Sequence, residues 1–149
     1  MKFSGEFNVS VDPKGRISIP ASFRDELREA YKSESLFVTR FKNGLVAYPP
    51  KRWAEIEAKV LAMPAGPRRD DLIRSRVSPA QECSFNAQGR IQIPQALRNS
   101  AGLEKDVAVV VVGMFEKIEI WNQQAHDQII AASEALLNDD AQGQADLGF

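Results

Sequence analysis

The chain has 149 residues, 44% of them hydrophobic and 26% charged, which suits one ordinary globular core or two small ones and excludes a disordered or fibrous protein. Nineteen Lys and Arg stand against 20 Asp and Glu, a formal charge of −1, so the overall balance advertises neither a nucleic acid nor a membrane as partner, and either must be met locally. A single cysteine, Cys83, excludes an intrachain disulfide, no cluster of Cys and His offers a zinc framework, and neither metal nor cofactor is expected.

The first strand is read from Phe7, Val9 and Val11, which alternate with Glu6, Asn8, Ser10 and Asp12 in the period of a half-buried strand. Asp12-Pro13-Lys14-Gly15 follows, with Gly where a positive φ is wanted, and predicts a tight hairpin whose return strand carries Ile17 and Ile19. Pro20 falls where a helix begins, and Phe23 with Leu27 gives that helix an apolar stripe. Two strands are expected next, Leu36 to Phe41 and Leu45 to Tyr48 around Asn43-Gly44, then a helix from near Pro50 carrying Trp53, Ile56 and Val60. Between Pro64 and Pro79 a short linker helix is expected, with Arg68, Arg69, Arg74 and Arg76 on a solvated face and Arg74 four residues from Asp70.

The same series then recurs. Residues 12–20, DPKGRISIP, return as residues 86–94, NAQGRIQIP, 74 positions on, with five of nine residues identical. Cys83 and Phe85 lead into the turn Asn-Ala-Gln-Gly, Ile91 and Ile93 leave it, Pro94 opens a helix with Leu97 and Ala101 inward, and Gly102 is a helix stop. Strands Val107 to Val112 and Glu116 to Trp121 are expected around a turn at Gly113, followed by a helix from near Asn122 carrying Ala125, Ile129 and Ala132. The correspondence extends to Phe23-Arg24 with Leu97-Arg98, Tyr48 with Trp121 and Ile56 with Ile129. Boundaries follow at 1–62 for the first copy, 63–79 for the linker helix region, 80–137 for the second copy and 138–149 for a mobile acidic tail. Residues 1–74 carry 14 basic and 10 acidic side chains and the remainder 5 and 10, so the halves are +4 and −5.

Arg16 and Arg90 leave the two turns on their polar faces, one residue before the inward Ile17 and Ile91. A guanidinium is planar and always charged, so it suits phosphate oxygens and the edge of guanine, and a two-stranded ribbon fits the major groove. The plainer alternative is that Arg16 does no more than pair with Asp12 across its turn. Lys14 adds a phosphate contact in the first copy where the second has the uncharged Gln88, so the first copy is expected to bind phosphate more strongly, with Asp12, Gly15, Asn86 and Gly89 supporting the turns. Asn86 can hydrogen-bond but cannot neutralise Arg90. Arg24, Arg28, Arg98, Lys51 and Arg52 are read as helix-surface charges, and Trp53, Trp121 and Tyr48 as packing residues.

Catalysis finds little support. His126 is the only histidine and has no Ser or Cys motif beside it, Cys83 sits on an apolar strand face, and no Gly-rich phosphate-binding or dinucleotide motif occurs. The duplicated Gly-Arg-Ile-x-Ile-Pro and the Asp-x-x-x-Arg of Asp12 to Arg16, replaced at its acid by Asn86 in the second copy, resemble the MraZ family of bacterial regulators over nearly the whole chain. That resemblance implies an α+β fold with a mainly β core, a swapped-hairpin barrel related to the AbrB and MazE DNA-binding domains, with two copies in one chain forming an intrachain pseudo-dimer. It further implies a homo-oligomeric ring that binds direct repeats in promoter DNA, through Arg16, Lys14 and Arg90, and represses its own division and cell-wall gene cluster. The opening MKFSGEFNVSV lacks the apolar run of a signal peptide, no stretch is long enough to span a bilayer, and a cytoplasmic, nucleoid-associated protein is expected. The rival reading is an antitoxin-like protein-interaction module that acts through its C-terminal segment.

Overall fold

A computed structural model describes residues 2–149 and gives a mixed α and β fold in which most strands join one antiparallel sheet. In chain order the first copy supplies β1 (Phe3–Ser10), β2 (Arg16–Ser18), α1 (Ala21–Tyr31), β3 (Ser35–Phe41), β4 (Gly44–Tyr48) and α2 (Pro50–Leu61). The linker forms α3 (Pro67–Leu72) and runs directly into a π-helical turn, Ile73–Val77. The second copy supplies β5 (Gln81–Ser84), β6 (Arg90–Gln92), α4 (Gln95–Ala101), β7 (Ala108–Phe115), β8 (Ile118–Asn122) and α5 (Gln123–Asn138), and α6 (Ala141–Leu147) follows.

The six-stranded sheet has the order β1-β7-β8-β4-β3-β5, and β2 pairs with β6 in a separate ribbon. Read from either end, the large sheet presents the first strand of one copy, then the third and fourth strands of the other. Each copy therefore lends its opening strand to its sibling: β1 pairs with β7 over eight residue pairs, and β5 pairs with β3. Of the six pairings among the described strands, only β3–β4 and β7–β8 lie within a copy. The two halves share one core, which includes Phe3, Val11, Ile17, Phe23, Leu36, Ile91, Leu97, Val111 and Ile120.

Local rules account for most element ends. Pro20 and Pro94 precede α1 and α4, and Gly102 closes α4 in the left-handed region at φ 63°. The expected inward residues Phe23, Leu27, Leu97 and Ala101 are buried. Trp53 and Trp121 are buried too, and Trp53 stacks on Phe37 with ring centroids 6.1 Å apart, so these aromatics are packing residues.

Several expectations need correction. The return strands do not pair with the strands that precede them: β2 and β6 pair with each other, while Val11 accepts from the Asp106 N–H at the end of the β1–β7 ladder. A three-residue strand can satisfy its polar backbone on either neighbour, and the pairing that buries Ile17 against Ile91 wins. No closed barrel is found among the described strands, since β1 and β5 end the large sheet and the short ribbon joins neither edge. Gly113 is no turn residue but lies within β7 opposite Gly5, where a Cβ would stand 2.5 Å from the Ser4 nitrogen. The β7–β8 turn falls instead at Glu116-Lys117, closed by Met114 N–H to Lys117 O at 2.8 Å. In α5 the inward stripe ends early: Ala125 is buried, Ile129 half-buried and Ala132 exposed. Arg74 pairs with Asp71 rather than Asp70, at 3.3 Å, the i,i+3 spacing that also makes neighbours on a helix surface. No periodicity in the sequence marks α6, which Asp140 caps by accepting from the Gly143 N–H.

Candidate nucleic-acid interface

Each turn is built by its first residue. The Asp12 carboxylate accepts from the backbone N–H groups of Lys14 and Arg16, both at 2.9 Å, and the Asn86 amide oxygen accepts from those of Gln88 and Arg90 at 3.0 and 2.9 Å. Main-chain bonds from Gly15 N–H to Asp12 O and from Gly89 N–H to Asn86 O, each 3.0 Å, close the loops. Gly15 at φ 80° and Gly89 at φ 77° take the conformation that glycine alone adopts cheaply. Asn reproduces the turn because backbone N–H groups need an acceptor, not a charge.

The ribbon then brings the turns together. Ile17 lies opposite Ile91, both buried, which leaves Arg16, Ser18, Arg90 and Gln92 on the other face. Asp12 Oδ2 receives Arg16 Nε at 2.8 Å and Arg90 Nη1 at 3.3 Å, the second across 78 residues. Gln92 donates to the Lys14 carbonyl at 2.8 Å, a further bond between copies. Arg90 is thus paired, contrary to the reading of its own turn, because the exchanged ribbon delivers it to the other copy's acid. Arg16 likewise pairs with Asp12, yet one carboxylate serves two guanidiniums with Lys14 alongside. Among these four side chains that leaves a surplus of two positive charges, and the Arg16 and Arg90 side chains keep 29% and 40% of their surface in water.

Asp12 is held at a pKa of about 2, first by the Arg16 backbone N–H; partial burial opposes this, and the Arg16 guanidinium and the Lys14 N–H reinforce it. A carboxylate depressed when folded stabilises above its unfolded pKa of about 4 and loses that contribution as pH falls toward 2. Asp12→Asn should keep the turn bonds, as Asn86 does, and lose both ion pairs. Urea midpoints of parent and variant are therefore expected to differ at pH 7 and to converge between pH 4 and pH 2; a gap constant with pH would contradict the assignment.

Two further arginines belong here, although their sequence positions marked them only as helix surface. Arg24 Nε donates to the Ile19 carbonyl at 3.1 Å and Arg98 Nε to that of Ile93 at 2.9 Å. Each guanidinium then lies against the turn glycine of the opposite copy, Arg98 over Gly15 and Arg24 over Gly89, so closely that a Cβ on either glycine would collide with it. The 74-residue repeat of this arginine, beyond the shared strand motif, was the available signal.

Elsewhere the described residues hold no group of three or more His, Cys, Asp or Glu able to bind a metal. Burial lifts the Cys83 thiol to about 11, which makes it an unreactive core residue. His126 faces Glu6 at 3.1 Å. No helix among the described residues is long and apolar enough to cross a membrane.

Fold and site define a class: duplicated α+β chains whose copies exchange strands and present paired cationic turns at one end. The family model described as "MraZ protein, putative antitoxin-like" matches residues 2–73 and 77–147, one match to each copy. A protein of Syntrophotalea carbinolica named transcriptional regulator MraZ is 44% identical over 150 residues, covering 100% of both chains. Those of Geobacter metallireducens and Pediococcus pentosaceus, with the same name, are 34% and 36% identical over 99% of both chains. The chain belongs to the MraZ family.

Proposed function

We propose that this chain is a sequence-specific DNA-binding transcriptional regulator, which represses its own division and cell-wall gene cluster by binding direct repeats in the promoter. The observation that carries this reading is the ribbon of β2 and β6, a rigid pair of turns that places Arg16 and Arg90 around a single acid with Lys14 beside them. Such a ribbon has the width of a major groove, and its guanidiniums can meet phosphates and guanine edges. The relatives' name, transcriptional regulator, supports the regulatory part of this reading. With the chain near neutrality, affinity per subunit is low; a homo-oligomeric ring would join several tips on one duplex and raise it by effective concentration. Head-to-tail contacts in a ring repeat in one sense, as direct DNA repeats do. Such a protein works in the cytoplasm at the nucleoid, without a membrane partner.

A second reading, the antitoxin-like interaction module, is favoured by Leu136, Leu147 and Phe149, which stand 73%, 80% and 91% exposed near the C-terminus. A mobility-shift titration on the region upstream of the protein's own gene separates the two. Affinity is expected to fall steeply between 50 and 200 mM salt, since each phosphate contact contributes about −0.9 to the slope of log K against log salt. A flat response, or no selectivity over scrambled duplex, would favour the interaction module.

A further inference from the structure

The geometry points to Arg24 and Arg98 as positioning residues of the DNA-binding tips, each working on the turn of the other copy. This rests on the proposed function for its consequence, but the positioning itself is a property of the free protein. Three observations carry it. Each side chain is half-buried and fixed at its Nε by a carbonyl of its own copy, Ile19 or Ile93, just before the helix that bears it. Each then projects its planar end onto a glycine of the opposite turn, so close that a Cβ there would have to displace it. The arrangement occurs twice, Arg98 on Gly15 and Arg24 on Gly89, as the duplicated chain requires if it serves the turns.

Among the described residues the two turns are otherwise joined through a three-pair ribbon, the Arg90–Asp12 ion pair, Gln92 on the Lys14 carbonyl and one main-chain bond beyond the ribbon, from the Ile19 N–H to the Gly89 carbonyl at 3.0 Å. A short ribbon alone is free to twist, and twisting would change the spacing of Arg16 and Arg90. A guanidinium held against each turn from a helix restrains that freedom. The assignment is crossed: an arginine of the second copy governs the tip that carries Lys14 and Arg16, and an arginine of the first governs the tip that carries Gln88 and Arg90.

The test uses the full chain with Arg98→Met and Arg24→Met, which keep most of the bulk and lose the donors, and Arg98→Lys, which keeps the charge without the plane. In the free protein, Arg98→Met should shift the amide resonances of Lys14 and Gly15 and leave those of Gln88 and Gly89 in place, with Arg24→Met doing the reverse. On the upstream duplex, at a temperature where every variant is folded, Arg98→Met should weaken selective binding about tenfold and Arg24→Met less. The slope of log K against log salt should stay at the parent value, and Arg98→Lys should restore little. A slope lower by about 0.9, with rescue by Lys, would overturn positioning in favour of direct phosphate contact. Unmoved opposite-turn amides, or undiminished binding, would overturn it outright. If the parent itself fails to bind DNA, the proposed function falls and the amide shifts still decide the positioning claim; should Arg98→Met not fold, Arg98→Lys carries the same amide readout.

Discussion

Fragments comprising residues 1–76 and 77–149, produced separately, are expected to be unfolded, and an equimolar mixture is expected to recover a folded complex. Four of the six strand pairings join one copy to the other: β1–β7, β2–β6, β3–β5 and β4–β8. A fragment keeps only one hairpin, β3–β4 or β7–β8, with two strands that have lost their partners, β1 and β2 or β5 and β6. An isolated hairpin is marginal in water, and a chain of this size buries too small a fraction of its surface to offset the loss. In fragment 1–76 β1 loses its whole ladder partner, from Phe115 opposite Phe3 to Ala108 opposite Ser10. Circular dichroism and hydrogen exchange on each fragment and on the mixture give the answer. A cooperatively folded 1–76 would mean that strand exchange is not what holds the copies together.

Arg16→Ala and Arg90→Ala are each expected to weaken DNA binding by about 1–3 kcal/mol, roughly five- to 150-fold, and the double variant to abolish selective binding. Both groups share the Asp12 carboxylate, so the singles should not add. Removing Arg16 frees Asp12 toward Arg90, neutralises the surviving guanidinium more fully, and leaves it a poorer anion ligand. The deficit of the double variant should accordingly differ from the sum by a measurable coupling. Thermal midpoints should move little, because both side chains are partly exposed and surface ion pairs of this kind contribute about 0–1 kcal/mol. An affinity change that tracked unfolding would contradict a contact role.

How much of this was legible in the sequence follows from the range of each interaction. The turns at Asp12 and Asn86, the proline starts of α1 and α4 and the buried faces of those helices depend on neighbours a few residues apart, and pattern alone yields them. The ribbon partner does not follow from pattern: alternation along Ile17 and Ile19 is the same whether the strand pairs with β1 or with β6. The family resemblance implied an exchange that periodicity could not choose, and the barrel it also implied is not found. Gly113 misled because glycine serves both turns and close backbone approach, and here Gly5 lies opposite. Phe115, at φ 64°, occupies a turn conformation that a large side chain seldom takes, so composition placed the turn too early. Arg24 and Arg98 read as surface charges because the turn that each one covers belongs to the far copy. The sharing of Asp12 by both arginines was hidden for the same reason.

The central claim is that paired turns at one end of the molecule meet DNA, and the most direct measurement follows backbone amide resonances as a duplex from the protein's own upstream region is added. Shifts concentrated at Lys14, Gly15, Arg16, Gly89 and Arg90, and reduced by added salt, are the predicted result. Shifts confined to α5 and α6, with those five amides unmoved, would contradict it.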